Sequence, residues 1–594
     1  MNKFLSNRII ISSGSLIIFI TTVACFCWVE YSVTDKTLIN RLLGFSLLQL
    51  VLLIITISNK TIINKVKSIP RDILIAIIGL FVFQLISISY ALNYIKVLYE
   101  LQNTIILALT IITIQIFDTN KHIKTVKNIL NTIAFIYVLF AFTQLLQLDS
   151  YDKQSLYNIT SLAGHKNLFS SFGVLLIICI SVTQIIQTSK SFLPMLVIIL
   201  LTLMVGIVQT RSALIGIILG SSLVGYLLLI HNKKNINIKY ITTFIIIIFS
   251  CLITFTVNTS IFNDNLNSES SIERILIWNK TLSIIYENPI LGIGSGNWSL
   301  ILPSFGLLEI DRVINGNIIF QKAHNEYLQA YSEIGLAGVV CYIYIFVTVF
   351  FMAFKVFKNQ KNIYSSIVII GLISYTVIMF FDFPNSRPSH LVILGIFVGI
   401  LSIWYKKNNY KSKLIKINKF FVWSCLLVVL GSLTVSFFRF NGEINMKKLL
   451  KERSINNQNK IIKIGEKTSN IFYDMDRTGI PIDWYTGIAN YKIGNLDKAQ
   501  KDFKNAYKIN PYNHHILNNY AISVSNNDLN KAQFILEKAL KINPFFEEAR
   551  SNLIKVLIES GNIELAKTHL DLINNIETKQ VLVILLQKYL KDLS

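Results

Sequence analysis

Most ionisable residues of this chain lie in short polar segments, but a few stand at the edges of long apolar runs, where chemistry would need them. Arg211 lies in Gln209-Thr-Arg-Ser-Ala-Leu214, between two apolar stretches. Arg274 and Trp278 are four residues apart in Ser271-Ile-Glu-Arg-Ile-Leu-Ile-Trp278, so the helix predicted by this periodicity puts them on one face. His324 opens His324-Asn-Glu-Tyr-Leu-Gln-Ala-Tyr331, where helical spacing predicts one face shared with Tyr327, Leu328 and Tyr331. Asp382 and Arg387 occupy the short turn Phe381-Asp-Phe-Pro-Asn-Ser-Arg387. Ionisable groups at membrane depth are costly and usually functional, and histidine is the side chain that exchanges a proton near neutral pH. Each position also has a plainer reading. A lone histidine is more often a structural hydrogen bonder, Arg211 can snorkel to the interface, and Asp382 can pair locally with Arg387. The glycines of Gly292-Ile-Gly-Ser-Gly-Asn297 have the spacing of a phosphate cradle, but no strand–helix unit surrounds them, which favours a tight turn.

These residues must be positioned by membrane helices. Of 594 residues, 53% are hydrophobic and only 15% charged, against about 25% charged in ordinary soluble domains. The net charge of +23 would suit a nucleic-acid binder only if it clustered on a hydrophilic domain, whereas here Lys and Arg interrupt runs of Ile, Leu, Phe and Val. Thirteen stretches are long enough to span a bilayer, centred on 9–29, 38–58, 72–90, 100–117, 128–148, 168–187, 192–208, 212–230, 240–258, 334–354, 363–381, 388–404 and 420–440. With the N-terminus inside, 22 Lys and Arg fall on cytoplasmic segments and seven on the short outer loops, as the positive-inside rule requires. The odd number of spans puts the C-terminal part outside. The first span also fits a signal-peptide pattern, but twelve more follow, and we expect an uncleaved helix. All six cysteines lie in apolar spans and read as packing residues. One outer loop, 259–333, is far longer than the rest, and loops of that length are usually functional.

Beyond Asn441 the composition becomes that of a soluble protein, which predicts two domains, 1–440 and 441–594. Between 480 and 575, Gly487, Gly494, Ala499, Phe503, Ala506 and Pro511 match the small and aromatic positions of a tetratricopeptide repeat. Ala532, Leu536, Ala539 and Pro544 repeat the last four of these 33 residues later. Gly561, Ala566 and Leu570 continue the pattern, and residues 446–479 are left to supply a degenerate helical repeat or a cap. A concave groove for a protein or peptide is the expected use, and a passive spacer or a lid on the membrane domain is the alternative. The fold expected overall is all-α: a polytopic membrane bundle of 12–13 helices followed by a soluble α-solenoid.

The ordered motifs resemble the O-antigen ligase superfamily, which includes lipid-linked glycan polymerases and bacterial protein O-oligosaccharyltransferases. The resemblance runs through Gly164-His-Lys-Asn167, Thr210-Arg-Ser-Ala-Leu-Ile-Gly216, Glu273-Arg274 with Trp278, Asn288–Asn297, His324–Gly338 and Phe381-Asp-Phe-Pro384. It implies a bacterial inner-membrane protein whose long periplasmic loop covers a cavity open to the outer leaflet. The implied donor is an undecaprenyl-diphosphate-linked glycan. Arg211 and Arg274 match arginines implicated at the diphosphate, His324 the proposed base, and Asp382 an implicated aspartate. Lys166 and Asn167 lie on an outer segment and are further candidates for holding diphosphate or sugar.

That chemistry is consistent with the residue types. A glycosyl diphosphate has a good leaving group, and the difficulty is the charge that grows on it. Guanidiniums grip phosphate oxygens in bidentate fashion, and a histidine can take the acceptor proton. The outer segments show no Asp-x-Asp-type cluster, so we expect no metal and no cofactor, and direct displacement with inversion. The acceptor is expected to be a glycolipid or a protein hydroxyl, with a polymerase as the alternative. A transporter or a non-catalytic scaffold is the alternative of another class. A transporter would show internal symmetry, which is not evident. Besides the glycan donor and acceptor, the expected partners are membrane lipids and a protein in the repeat groove, with no role for nucleic acid.

Overall fold

A computed structural model describes residues 26–58, 68–117, 123–150, 153–187, 193–208, 210–231, 269–306, 320–360, 363–407 and 414–593. The expected spans at 9–29 (apart from its last residues) and 240–258, the loop segments 259–268 and 307–319, and Cys25 and Cys251 lie outside these residues. Seven described helices are long and apolar enough to cross a bilayer, beginning at Ile39, Arg71, Tyr94, Asn128, Glu326, Pro388 and Lys419. Shorter apolar helices cover Lys166–Ser181, Leu193–Ile207, Ser212–Leu223 and Ser365–Phe381. Together these coincide with the remaining expected spans.

In chain order the bundle comprises α1 (Ile39–Ser58), α2 (Arg71–Ile86), α3 (Tyr94–Phe117), α4 (Ile123–Leu146), α5 (Lys166–Gln187) and α6 (Leu193–Ile207). It continues with α7 (Arg211–His231), α8 (Glu269–Glu287), α9 (Glu326–Gln360), α10 (Ile363–Phe381), α11 (Pro388–Lys407) and α12 (Lys419–Ser454). Between apolar helices in lipid, close backbone approach takes over from the hydrophobic effect, and small residues four apart provide it. Gly216 and Gly220 of α7 lie against Ser374 and Ile370 of α10, where an added Cβ would stand 3.2 Å from Ser374 Cα. Gly395 and Gly399 of α11 meet Thr110 and Ile114 of α3 in the same way. The first contact matters for the site. It makes α7 and α10 run antiparallel, with the start of α7, at Arg211, level with the end of α10, which leads into Asp382. At the far end of the bundle, Ser68–Pro70 pairs antiparallel with Leu414–Lys416 in a two-stranded ribbon, a small departure from the all-α expectation.

The change of solvent near Asn441 falls inside a helix, because α12 is unbroken from Lys419 to Ser454. Its end and α13 (Gln458–Thr468) pack against the first of three helix pairs, α14–α15 (482–492, 496–509), α16–α17 (514–525, 529–542) and α18–α19 (547–559, 563–571), and α20 (Ile576–Leu593) closes the stack. The small residues do what their positions predict. Ala499, Ala506, Ala532, Ala539 and Ala566 are fully buried, and a Cβ on Gly487 would stand 2.8 Å from the Phe503 ring. The expected cap is only partly a cap. Residues 469–481 bridge the stack and the bundle: Asn510 Nδ2 of the first pair donates to the Gly479 carbonyl at 2.9 Å, while Asn93 Nδ2 donates to Asp474 Oδ2 at 2.6 Å and Gln321 Nε2 to the Thr478 carbonyl at 3.3 Å.

Candidate active site

His324 does not lie on the helix where its spacing placed it. Asn325 caps α9 instead, its Oδ1 accepting from the N–H groups of Tyr327 and Leu328 at 3.1 Å. This leaves His324 just before the helix with φ 52°, in the left-handed region that side chains rarely adopt. Its neighbour is pinned on both sides. The Ala323 carbonyl accepts from Trp278 Nε1 at 2.9 Å, and the Ala323 N–H donates to Gln329 Oε1 at 3.0 Å. The Nδ1 of His324 is buried and makes no hydrogen bond among the described residues. Strain and an unpartnered ring nitrogen at one residue are common marks of a functional position.

The Asp382 turn docks against this segment. The Phe383 ring meets the His324 ring edge-on at 5.2 Å. Glu326 Oε1 accepts from the Asn385 N–H at 2.7 Å, and Glu326 Oε2 from the Tyr342 hydroxyl at 2.8 Å. Asp382 is buried; its Oδ1 accepts the Phe383 N–H at 3.0 Å, while Oδ2 has no hydrogen-bond partner among the described residues. Trp278, one helical turn beyond Arg274, reaches this turn as well as Ala323, its ring 5.7 Å from that of Phe380. The shared face expected for Arg274 and Trp278 is therefore the face of α8 turned towards His324 and Asp382.

The third wall is the turn before α5. Gly164 (φ 78°) bends the chain, His165 Nε2 bonds the Tyr157 hydroxyl at 2.8 Å, and His165 Nδ1 accepts from the Asn167 N–H at 3.2 Å. Lys166 lies over the Tyr157 ring at 4.5 Å. Thr210 Oγ1 donates to Ser170 Oγ at 2.7 Å, which ties the start of α7 to α5. Arg211 itself opens α7; its side chain lies outside the described residues. His165, inside a quoted motif yet not singled out from sequence, is thus a further candidate beside Lys166 and Asn167.

The electrostatics tie these walls together. Burial, then Arg274 and His165, lowers the pKa of His324 to about 3. Burial, then Arg387, Lys166, Arg477 and Arg274, lowers that of His165 to about 4. Both rings are neutral at pH 7 and surrounded by cations. Burial raises Asp382 to about 6, with the Phe383 N–H, Arg274 and Arg387 opposing. Arg387 does not form the local pair expected with Asp382. It pairs with Asp35 at 3.8 Å, because the turn aims its side chain towards the loop before α1. Among the described residues, no three His, Cys, Asp or Glu come together as a metal-ligand set.

Asp382 has a stability signature. Its pKa lies above the ordinary 3.8, so the carboxyl favours the folded state when protonated, and that contribution is lost as pH rises through about 6. A shift of that size is on the order of 3 kcal/mol. Asp382→Asn, which keeps an acceptor for the Phe383 N–H, is therefore expected to melt higher than the parent at pH 7.5, with the gap closing towards pH 4. Melting curves in detergent at both pH values check this.

The glycine segment is a docking element. The N–H groups of Ile293 and Gly294 donate to the carbonyls of Ser332 and Glu333 at 2.9 and 2.8 Å, and that of Gly296 to Glu333 Oε2 at 2.7 Å. With those donors already engaged, the tight-turn reading stands over the phosphate cradle. The segment sits in a kink of α9 at Gly335 (φ 63°, ψ −172°). A Cβ there would stand 2.1 Å from the Ile290 carbonyl oxygen. Gly335→Ala is expected to cost about 2 kcal/mol or more and to lower the melting temperature by several degrees.

Residues 196–343 match the O-antigen ligase family. The matched stretch is the central part of the bundle. It holds Arg211, Arg274 and His324; Lys166, Asn167 and Asp382 lie outside the matched residues. Residues 523–587 match the tetratricopeptide repeat family, so a multi-pass membrane bundle whose central part is similar to the O-antigen ligase family carries a repeat tail. No curated protein matches the chain.

Proposed function

We propose that the chain transfers a glycan from undecaprenyl diphosphate to an acceptor hydroxyl at the outer face of a bacterial inner membrane, with the repeat tail on the periplasmic side. The observation that carries this is the convergence of His324, Arg274, His165 and Asp382 at the tail-facing end of a bundle whose central part is similar to the O-antigen ligase family. The acceptor oxygen attacks the anomeric carbon and its proton passes to His324. The bond from that carbon to the diphosphate breaks, and its electron pair stays on the phosphate oxygen, held by Arg274 and Arg211. No metal enters this scheme.

The low pKa of His324 fits a base that is switched on by its substrate. Arg274 helps to suppress it, and a bound diphosphate neutralises that cation and brings further negative charge, so the imidazole regains its basicity beside the acceptor. In this reading Lys166 and Asn167, beside His165, hold the first sugars. The repeat groove favours an acceptor or accessory protein over a purely lipid acceptor, and polymerisation of the lipid-linked chain is the second reading. Purified protein given a lipid-linked glycan together with lipid A-core, a Ser-containing protein and a second lipid-linked glycan is expected to glycosylate one of the first two. Extension of the second glycan alone would make it a polymerase, and no transfer to any of the three would remove the enzymatic reading.

A further inference from the structure

Asp35, in the loop before α1, is buried and is approached by two arginines from opposite halves of the chain. Arg387, from the Asp382 turn, stands at 3.8 Å and Arg477, from the tail loop 469–481, at 3.7 Å, both from Oδ2. These distances are ion-pair contacts too long for hydrogen bonds, so the carboxylate leaves guanidinium N–H donors unengaged. The Nε of Arg387 is buried and donates to nothing among the described residues. The Arg477 side chain is 59% exposed, so its guanidinium is open to a ligand. Asp35 has its own partners: Oδ1 accepts the Thr37 N–H at 3.1 Å, and its N–H donates to Glu443 of α12 at 3.0 Å. Arg387 lies over the Phe383 ring at 6.0 Å, and the His324 ring meets the same ring at 5.2 Å. Arg387 is thus one aromatic ring away from the histidine.

We propose that the tail is part of the binding site: Arg477, carried by loop 469–481 of the repeat domain, joins Arg387 in a cationic subsite for the anionic headgroup of a polyprenyl diphosphate. This rests on the glycosyl-transfer reading above. It makes the tail a working wall of the membrane site, so that a partner bound in the repeat groove acts directly on donor binding. Asp35 holds the two guanidiniums in place, and the headgroup supplies the acceptors that Asp35 does not.

The test is binding of undecaprenyl diphosphate to the full chain in nanodiscs, with the melting temperature of each variant recorded. Arg477→Gln is expected to weaken binding roughly five- to tenfold, a charged contact discounted for exposure, with the melting temperature unchanged. Asp35→Asn retains the acceptor for Thr37 but releases both arginines, so it is expected to bind equally well or more tightly. If Arg477→Gln binds like the parent while Arg274→Gln is weakened, the subsite is wrong and the glycosyl-transfer reading survives. If Arg477→Gln and Asp35→Asn are both weakened, the arginine only holds the tail in place and the proposal is overturned. If Arg274→Gln and Arg477→Gln both bind like the parent, the diphosphate reading falls with it.

Discussion

His324→Gly is expected to lose glycan transfer by about 10²- to 10⁴-fold, the usual contribution of a positioned general base, while remaining at least as stable as the parent. The two halves of this expectation have different causes. At φ 52° a side chain is strained and glycine is not, so the substitution relieves the backbone. The Asn325 cap and the two hydrogen bonds to Ala323 involve no atom of the imidazole, so the segment keeps its place. A scaffold or a purely structural histidine would give a variant of unchanged function, whereas a base gives a stable, inactive one that added imidazole partly restores. The pH dependence follows from the same group. A base works when neutral, so the donor-saturated rate is expected to fall as pH drops through the pKa of His324 in the complex, which neutralisation of Arg274 is expected to raise above about 3.

Arg274→Gln is expected to lower turnover by about 10²- to 10³-fold, the range for removing one donor to a developing anion. Lysine should recover only part, since an ammonium cannot make the paired contacts of a guanidinium. Arg274 is also among the causes that lower His324 and oppose the rise of Asp382. Its loss should therefore raise both pKa values, which NMR of labelled histidine would detect at His324. A residue that merely braces α8 would leave that titration where it was. Trp278→Phe makes the contrast: it removes the hydrogen bond to Ala323 but no charge, so it should lower activity with a smaller change in the titration of His324.

Much of this organisation is written locally in the sequence. Apolar runs of bilayer length are their own evidence, and each expected span within the described residues coincides with a helix. The repeat tail is legible because Ala499, Ala506, Ala532 and Ala539 recur at positions where only small residues allow helix pairs to close. The site is legible in its members but not in its pairings. Arg387 had Asp382 five residues away, yet its partner is Asp35, brought in from the start of the chain by the packing of α1 along α12. His324 sits before a helix because one asparagine side chain captures the helix N–H groups, a choice that hydrophobic periodicity does not register. Loop 469–481 carries no repeat pattern because its residues answer to Asn93, Gln321 and Asp35 in the bundle as well as to Tyr485 and Asn510 of the first helix pair. Arg211 and Lys166 remain candidates placed by helix starts, level with Asp382 and His165.

The most direct measurement of the central claim is the identity of the lipid product. Purified protein in nanodiscs, with EDTA present, would be given an undecaprenyl-diphosphate-linked glycan and its acceptor, and the lipid followed by mass spectrometry and phosphorus NMR. Attack at the anomeric carbon predicts intact undecaprenyl diphosphate, one molecule for each glycan transferred, with no dependence on metal. Release of undecaprenyl monophosphate would mean attack at phosphorus, and together with loss of turnover in EDTA it would contradict the roles given to His324 and Arg274.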